Sequence, residues 1–264
     1  MNMPDQHIAR KRFGQNFLHD AGVIQHIIDV IHPEPGQRLV EIGPGRGALT
    51  CPLLQKIGVL DVVELDRDLI PLLHQACAGL GELRIHSADA LKFDFASLAG
   101  NERLRIVGNL PYNISTPLLF HLLEQASVIQ DMHFMLQKEV VDRMAAAPGD
   151  PAYGRLSVML QYRCKIAKLF TVGSGAFTPA PKVESAIVRL VPYDKPPIKV
   201  TNDSNFARVV RQAFSQRRKT LRNNLKGLMT SEQLSTLGID AGLRAEVLSL
   251  EQFARISNAL GELD

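Results

Sequence analysis

A chain of 264 residues is long enough to bury a core without staples and to carry an appendage beside it. Its 45% hydrophobic content is that of an ordinary globular protein, and no apolar run approaches the ~20 residues of a membrane span. The formal net charge of +3 is modest but unevenly spread, so local blocks of cations say more about partners than the total does. Cys51, Cys77 and Cys164 are few, odd in number and scattered, and the eight histidines show no clustered ligand spacing. Reduced thiols and no metal are therefore expected.

Residues 1–20 form a basic, polar arm carrying Arg10, Lys11 and Arg12. No apolar stretch follows those cations, so no secretory signal is read and a cytoplasmic protein is expected. Val23–Ile31 has helical apolar spacing and stops before Pro33 and Pro35. An alternation follows: strand-like Arg38–Ile42, a glycine-rich turn, helix-like Ala48–Lys56, strand-like Leu60–Leu65, helix-like Arg67–Ala78 and strand-like Leu83–His86. Strand-like Leu104–Gly108 leads into helix-like Thr116–Gln125, strand-like Met132–Leu136 and a helix near Glu139–Ala147. After the loop Pro148-Gly-Asp-Pro151, Tyr153–Tyr162 resumes as a helix, and further strands are expected near Lys165–Val172 and Ser185–Val191. Strands separated by helices of this length predict an α/β fold with a parallel sheet covered on both faces.

Past Pro192 the texture changes. Asp194-Lys-Pro-Pro197 reads as a linker, and the pattern from Phe206 onward is helical. Two domains are expected, an α/β domain over 1–198 that includes the arm, and a smaller all-helical domain over 199–264. One helix is expected over Ala207–Leu225. From Ala207 to Lys226 the cations Arg208, Arg211, Arg217, Arg218, Lys219, Arg222 and Lys226 stand without an acidic residue among them. Such a block favours a polyanionic partner over the plainer alternative of a solvated face.

The segment Leu39-Val-Glu-Ile-Gly43-Pro-Gly45-Arg-Gly47 is a strand running into a turn that opens a helix. Gly43 and Gly45 let the backbone approach a ligand closely and take positive φ. The spacing is neither the G-x-G-x-x-G of dinucleotide binders nor a phosphate loop, so phosphate cradling is the weaker reading. Glu64 closes the second strand, where an acid accepts from two ribose hydroxyls, and Asp89 follows the third, where it can accept from an adenine amino group. Each alone reads equally as a surface carboxylate or a helix cap. In order along one sheet edge, with Asn109 after the fourth strand, they favour a nucleoside-bearing cofactor without phosphates, S-adenosyl-L-methionine.

Gly108-Asn-Leu-Pro-Tyr112 suits methylation of the exocyclic nitrogen of an adenine. That nitrogen is a poor nucleophile, because its lone pair is delocalised into the ring. Asn109 offers an acceptor for its hydrogens and Tyr112 a flat surface for the base. Pro111 biases Leu110 toward an extended conformation that turns the Leu110 carbonyl outward as a second acceptor. Taken alone, Asn109-Leu-Pro-Tyr112 reads equally as a turn after a strand.

With these residues in place the sequence resembles the ribosomal RNA adenine dimethyltransferase family, and within it the bacterial small-subunit branch. The likeness runs through Arg12-Phe-Gly-Gln-Asn-Phe-Leu18, Glu41-Ile-Gly-Pro-Gly-Arg-Gly-Ala-Leu-Thr50, Glu64-Leu-Asp66, Asn109-Leu-Pro-Tyr-Asn-Ile-Ser-Thr116, Gln137-Lys-Glu139, Tyr153-Gly-Arg-Leu-Ser157 and Phe177-Thr-Pro-Ala-Pro-Lys-Val183. The resemblance implies that Asn16, Leu18, Gly43, Glu64, Asp89 and Asn109 contact S-adenosylmethionine. It implies that Asn109, Leu110 and Tyr112 hold the target adenine, with Phe177 stacked on its other face. The product it implies is N6,N6-dimethyladenosine at two adjacent adenines near the 3′ end of 16S rRNA, in the small (30S) ribosomal subunit or its precursor. A monomer and a checkpoint role in subunit assembly are further expectations. Arg10, Lys11, Arg12, Arg217, Arg218, Lys219 and Arg222 would then grip rRNA phosphates. A large-subunit rRNA adenine methyltransferase of the antibiotic-resistance type is the rival; the Tyr153 block and the Phe177 loop favour the small-subunit kind. A nucleotide-dependent dehydrogenase would share the fold alone.

Overall fold

The alternation of buried strands and amphipathic helices folds, in a computed structural model, into a seven-stranded sheet and a separate helical unit. The structure describes residues 16–261, so the arm cations Arg10, Lys11 and Arg12 lie outside the described residues. The first elements are β1 (Phe17–Leu18) and α1 (Ala21–Ile31). Asp20 caps α1 by accepting the Val23 N–H at 2.9 Å. Next come β2 (Leu39–Ile42), α2 (Thr50–Ile57), β3 (Val59–Glu64), α3 (Ile70–Ala76), β4 (Glu82–Ser87) and α4 (Ala96–Ala99). The helix expected from Arg67 opens instead as a 3-10 turn over Arg67–Leu69, because Pro71 withholds an N–H in the first turn of α3. β5 (Leu104–Asn109), α5 (Ser115–Glu124), β6 (Ile129–Gln137), α6 (Lys138–Ala145), α7 (Arg155–Arg163), β7 (Cys164–Val172), β8 (Phe177–Thr178) and β9 (Ser185–Pro192) follow.

The strand order is β4-β3-β2-β5-β6-β9-β7. β4, β3, β2, β5 and β6 run parallel, whereas β9 is antiparallel to β6. Chain order runs outward from β2 to β3 and β4, then returns to the other side of β2 with β5. The strand order therefore reverses between β2 and β5, where open α/β sheets bind ligands at their carboxyl ends. β2 and β5 are buried nearly throughout because both sheet faces are covered. Gly108 fits this seam closely, since a Cβ built there would lie 2.5 Å from the Ile42 carbonyl oxygen.

At the opposite strand ends, Arg105 forms a buried two-point pair with Asp131 at 2.9 and 3.2 Å. The same guanidinium donates to the carbonyls of Ile31 and His32, satisfying the end of α1 and tying it to the sheet. The pair β1 and β8 forms a two-stranded ladder that the sequence pattern did not predict. Cys51 and Cys77 are bonded to each other, with Cα atoms 5.2 Å apart, and Cys164 is a free, buried thiol. The expectation of three reduced thiols is thus corrected: 26 residues of separation hide a contact made when α2 packs on the end of α3.

Packing divides the chain into two compact units, one reaching Val141 and adding Ala167–Pro192, the other comprising Asp142–Ile166 and the residues from Tyr193 onward. This division differs from a cut at 198/199. The second unit adds α8 (Asp203–Ala213), α9 (Leu221–Asn224), α10 (Ser231–Thr236) and α11 (Leu250–Gly261). α8 buries Phe206, Val209, Val210 and Ala213, a helical stripe that packs in one core with Val158 and Tyr162 of α7 and Phe253 of α11. The α7 stripe completes this helical core, which is why the second unit begins earlier than the change in sequence texture. The Tyr153 hydroxyl donates to the Leu248 carbonyl at 3.0 Å, satisfying a buried phenol and pinning the start of α7.

Candidate active site

At the carboxyl ends of β2, β3 and β5 lies a cavity of about 340 Å³, lined among others by Asn16, Leu18, Glu41, Gly43, Gly45, Glu64, Asn109, Leu110, Pro111 and Tyr112. Gly43 and Gly45 take φ of +67° and +58°, as their residue type permits. A Cβ on Gly45 would touch the Phe17 ring at 3.4 Å, so the turn and the segment Asn16–Leu18 lie close to van der Waals contact. Arg46 covers the outer face of that ring at 4.5 Å. The β1–β8 ladder holds the segment in place, Leu18 opposite Phe177 and Phe17 opposite Thr178.

Glu64 ends β3 and turns its carboxylate to the glycine turn, accepting the N–H of Gly45 at 3.4 Å and of Asp66 at 2.8 Å. Burial raises its pKa, and these backbone donors oppose the rise. Asp89 is not among the lining residues, although its neighbours Ala88 and Ala90 are. Its carboxylate instead accepts the Leu91 N–H at 3.0 Å, organising the turn after β4.

Asn109 is the last residue of β5. Its amide nitrogen donates to the Asn16 carbonyl at 3.2 Å, which fixes the side chain and leaves Oδ1 as an acceptor without a partner among the described residues. The Leu110 N–H bonds to Met135 of β6 at 3.2 Å, and no described hydrogen bond ends on the Leu110 carbonyl. Tyr112 is partly exposed on the turn that Pro111 starts, and its hydroxyl lies 3.0 Å from Ser185 Oγ. Asn109, Leu110 and Tyr112 thus share one wall of the cavity. Phe177 does not join them. At 3% exposure it lies in the core with Leu18, Ile27 and Ile187 and outside the cavity lining, so the structure does not bring it together with Asn109, Leu110 and Tyr112.

Sequence reasoning assigned no role to Glu41. It is 2% exposed in the floor of the cavity, and neither its Oε2 nor the Thr50 hydroxyl has a hydrogen-bond partner among the described residues. Burial pushes its carboxyl up to about 8; the nearby Thr50 hydroxyl opposes the rise and the Glu64 charge adds to it. The visible signal was an acid inside an apolar strand, Leu39-Val-Glu-Ile. The ligand-free protein should lose stability as pH rises from about 4.5 through about 8, since the unfolded chain releases this proton at an ordinary carboxylate pKa and the folded chain keeps it. Melting temperatures between pH 5 and 9 should decline less for Glu41→Gln than for the parent; parallel profiles would refute a buried, proton-holding Glu41.

In the helical unit the expected basic helix over Ala207–Leu225 is broken. α8 stops at Ala213, and an exposed loop carries Ser215–Lys219 to α9. The cause is Asn224, buried to 3% exposure, whose side-chain amide donates to the carbonyls of Ala213 at 2.6 Å and Gln216 at 3.0 Å. Arg217 lies 3.7 Å from Glu246 and donates to the Pro151 carbonyl, whereas Arg218 and Lys219 form no ion pair among the described residues. Among the described residues, no group of three or more His, Cys, Asp or Glu is placed to hold a metal, and no helix is long and apolar enough to cross a membrane.

A mostly parallel sheet with a glycine turn at its switch point, an acid closing β3 and an Asn-Leu-Pro-Tyr turn closing β5 defines a Rossmann-like methyltransferase with a helical C-terminal part. Residues 6–262 match the family model described as Ribosomal RNA adenine dimethylase, and the chain belongs to that family of enzymes. It is 60% identical over 259 residues to the Ribosomal RNA small subunit methyltransferase A of Pseudomonas aeruginosa, covering 98% of this chain and 97% of that one. The crystal structure of a dimethyladenosine transferase from Plasmodium falciparum superposes with a TM-score of 0.76 at 26% identity, covering 92% and 98% of the two chains. That of the 23S rRNA methyltransferase ErmE gives 0.73 at 25% identity, covering 93% and 100%.

Proposed function

We propose that this enzyme transfers methyl groups from S-adenosylmethionine to N6 of two adjacent adenines near the 3′ end of 16S rRNA in the small ribosomal subunit, giving N6,N6-dimethyladenosine. The observation that carries this reading is the Asn109 side chain, tied by its amide nitrogen to Asn16, with its oxygen unpartnered among the described residues and in a cavity wall that Leu110 and Tyr112 share. The fold is shared with an enzyme named for 23S rRNA, so it does not choose the target. The small subunit is favoured by the much higher identity to a relative named for it.

The residues present fit the cofactor. Glu41 Oε2 is a buried polar atom of the cavity wall without a partner among the described residues, and a polar ligand would satisfy it. Glu64 keeps lone-pair capacity beyond its backbone donors for a ribose diol. Gly43, Gly45, Asn16, Leu18 and Glu64 would hold the molecule, and Asp89 would reach its base from the turn after β4. When bound, it supplies an electrophilic methyl group. The chain's own residues act on the adenine. Asn109 Oδ1 and the Leu110 carbonyl accept the N6 hydrogens and localise the nitrogen's lone pair, while Pro111 keeps that carbonyl turned outward and Tyr112 offers the stacking face. Positioning and electrostatics suffice, because an alkylated amino nitrogen loses its proton to water without a strong base. A neutral amide also suits the second transfer, in which a single N–H is left to donate.

Phosphate contacts by Arg217, Arg218, Lys219 and Arg222, with the arm cations, would set the register of the RNA without reading its sequence. The deciding experiment supplies labelled S-adenosylmethionine and each isolated ribosomal subunit, then maps the modified nucleotides. Label confined to two neighbouring dimethyladenines of the small subunit is expected; label in the large subunit, or monomethylation alone, would overturn the proposal.

A further inference from the structure

We propose that Ser185 is a positioning residue for methyl transfer: its hydroxyl fixes the plane of the Tyr112 ring in front of the Asn109 and Leu110 acceptors. This rests on the proposed role of Tyr112 as the face on which the target adenine stacks. Ser185 is the first residue of β9 and is 1% exposed. Two constraints immobilise it. It stands opposite Gln137 in the β6–β9 register, and the residue before it accepts the Lys138 N–H through the Glu184 carbonyl at 2.9 Å. The Tyr112 hydroxyl lies 3.0 Å from Ser185 Oγ. At its other end Tyr112 is held by the turn, where its carbonyl accepts the Ser115 hydroxyl at 3.2 Å and the Ile114 N–H bonds back to Pro111.

An aromatic ring held at its backbone end alone still turns about its side-chain torsions, and the broad second torsion of Tyr sets no plane by itself. The bond to a residue locked in the sheet removes that freedom. It also engages the phenol, so Tyr112 presents a flat face rather than a competing polar group to the base. The effect weighs most on the second transfer. An N6-monomethyl adenine donates one hydrogen where adenine donated two, so ring contact must supply more of the alignment.

Ser185→Ala and Tyr112→Phe each remove one end of this bond with little change in volume. Each should lower kcat for small subunits about tenfold, the rate equivalent of one ordinary hydrogen bond, and should raise the ratio of monomethyl to dimethyl product. S-adenosylmethionine affinity, measured by calorimetry, and the KM for subunits should stay within about twofold of the parent, as interactions expressed only in the transition state require. The double variant should match either single one, because both act through the same bond. Unchanged kcat and product ratio in Ser185→Ala, or additive losses in the double variant, would overturn the inference. Tyr112→Ala separates this from failure of the underlying reading. If Tyr112→Ala is crippled and Ser185→Ala is normal, the positioning role falls alone; if Tyr112→Ala is also normal, the stacking role falls with it.

Discussion

Asn109→Ala should slow single-turnover methyl transfer to small subunits by about two to three orders of magnitude, the loss seen when one preorganised polar group is removed from a charge-developing centre. Asn109 sits at the last position of β5, partly exposed, so truncation opens no core cavity. Its amide nitrogen already has a partner in Asn16, and its oxygen has none among the described residues; the removed group is therefore the open acceptor itself. Cofactor affinity should change far less than rate, because Glu41, Glu64 and the glycine turn remain. Asn109→Asp should behave differently. Its carboxylate cannot donate to the Asn16 carbonyl, so the side chain loses its anchor, and a charged acceptor tolerates the hydrogen-poor monomethyl base poorly. First methylation should persist in part and second methylation should fail. Rapid-quench single turnovers beside equilibrium dialysis of the cofactor measure both. Near-parental transfer by Asn109→Ala would remove Asn109 from the chemistry. If the protein also serves as an assembly checkpoint, Asn109→Ala should still bind immature subunits while failing to modify them.

The sheet was legible because its strands carry their own signal: apolar runs between helices of fixed length, with Gly43 and Asn109 at strand ends. The pattern does not give strand order; the seam between β2 and β5 comes from the structure and is set at close range by Gly108. Less legible were features made by pairing distant segments. The β1–β8 ladder joins two residues to two, too short for any periodicity, yet it carries Leu18 to the cavity and draws Phe177 into the core. The burial of Phe177 has no counterpart in its sequence neighbours, a polar and proline-rich loop. The exceptional character of Glu41 lies in a buried Oε2 without a partner among the described residues, which no linear pattern displays. Ser185 likewise gains meaning through a bond to Tyr112, 73 residues earlier. In the helical unit, composition marked the cations correctly as a block, while the break in their helix depended on one buried amide, Asn224, reaching back to Ala213 and Gln216.

That break shapes the second large effect. Neutralising Arg217, Arg218 and Lys219 together to Gln should flatten the salt dependence of small-subunit binding, and the three positions should not contribute equally. Each phosphate contact adds about 0.7–0.9 to the slope of log affinity against log salt, through released counterions. Arg218 and Lys219 extend from an exposed loop with no ion pair among the described residues, so both are open to phosphate. Arg217 faces Glu246 and the Pro151 carbonyl, and must give up those contacts before gripping RNA. The slope should therefore fall by nearer two contacts than three, which means about tenfold less loss of affinity between about 50 and 200 mM salt than the parent shows. Arg217→Gln alone should change the slope least. Because Asn224 holds the loop from inside, the triple variant should keep its fold, and an unchanged melting temperature would confirm that the lost binding is electrostatic. Filter binding of small subunits over a salt series measures the slopes. Equal slopes for parent and triple variant would assign this loop to solvent rather than to RNA.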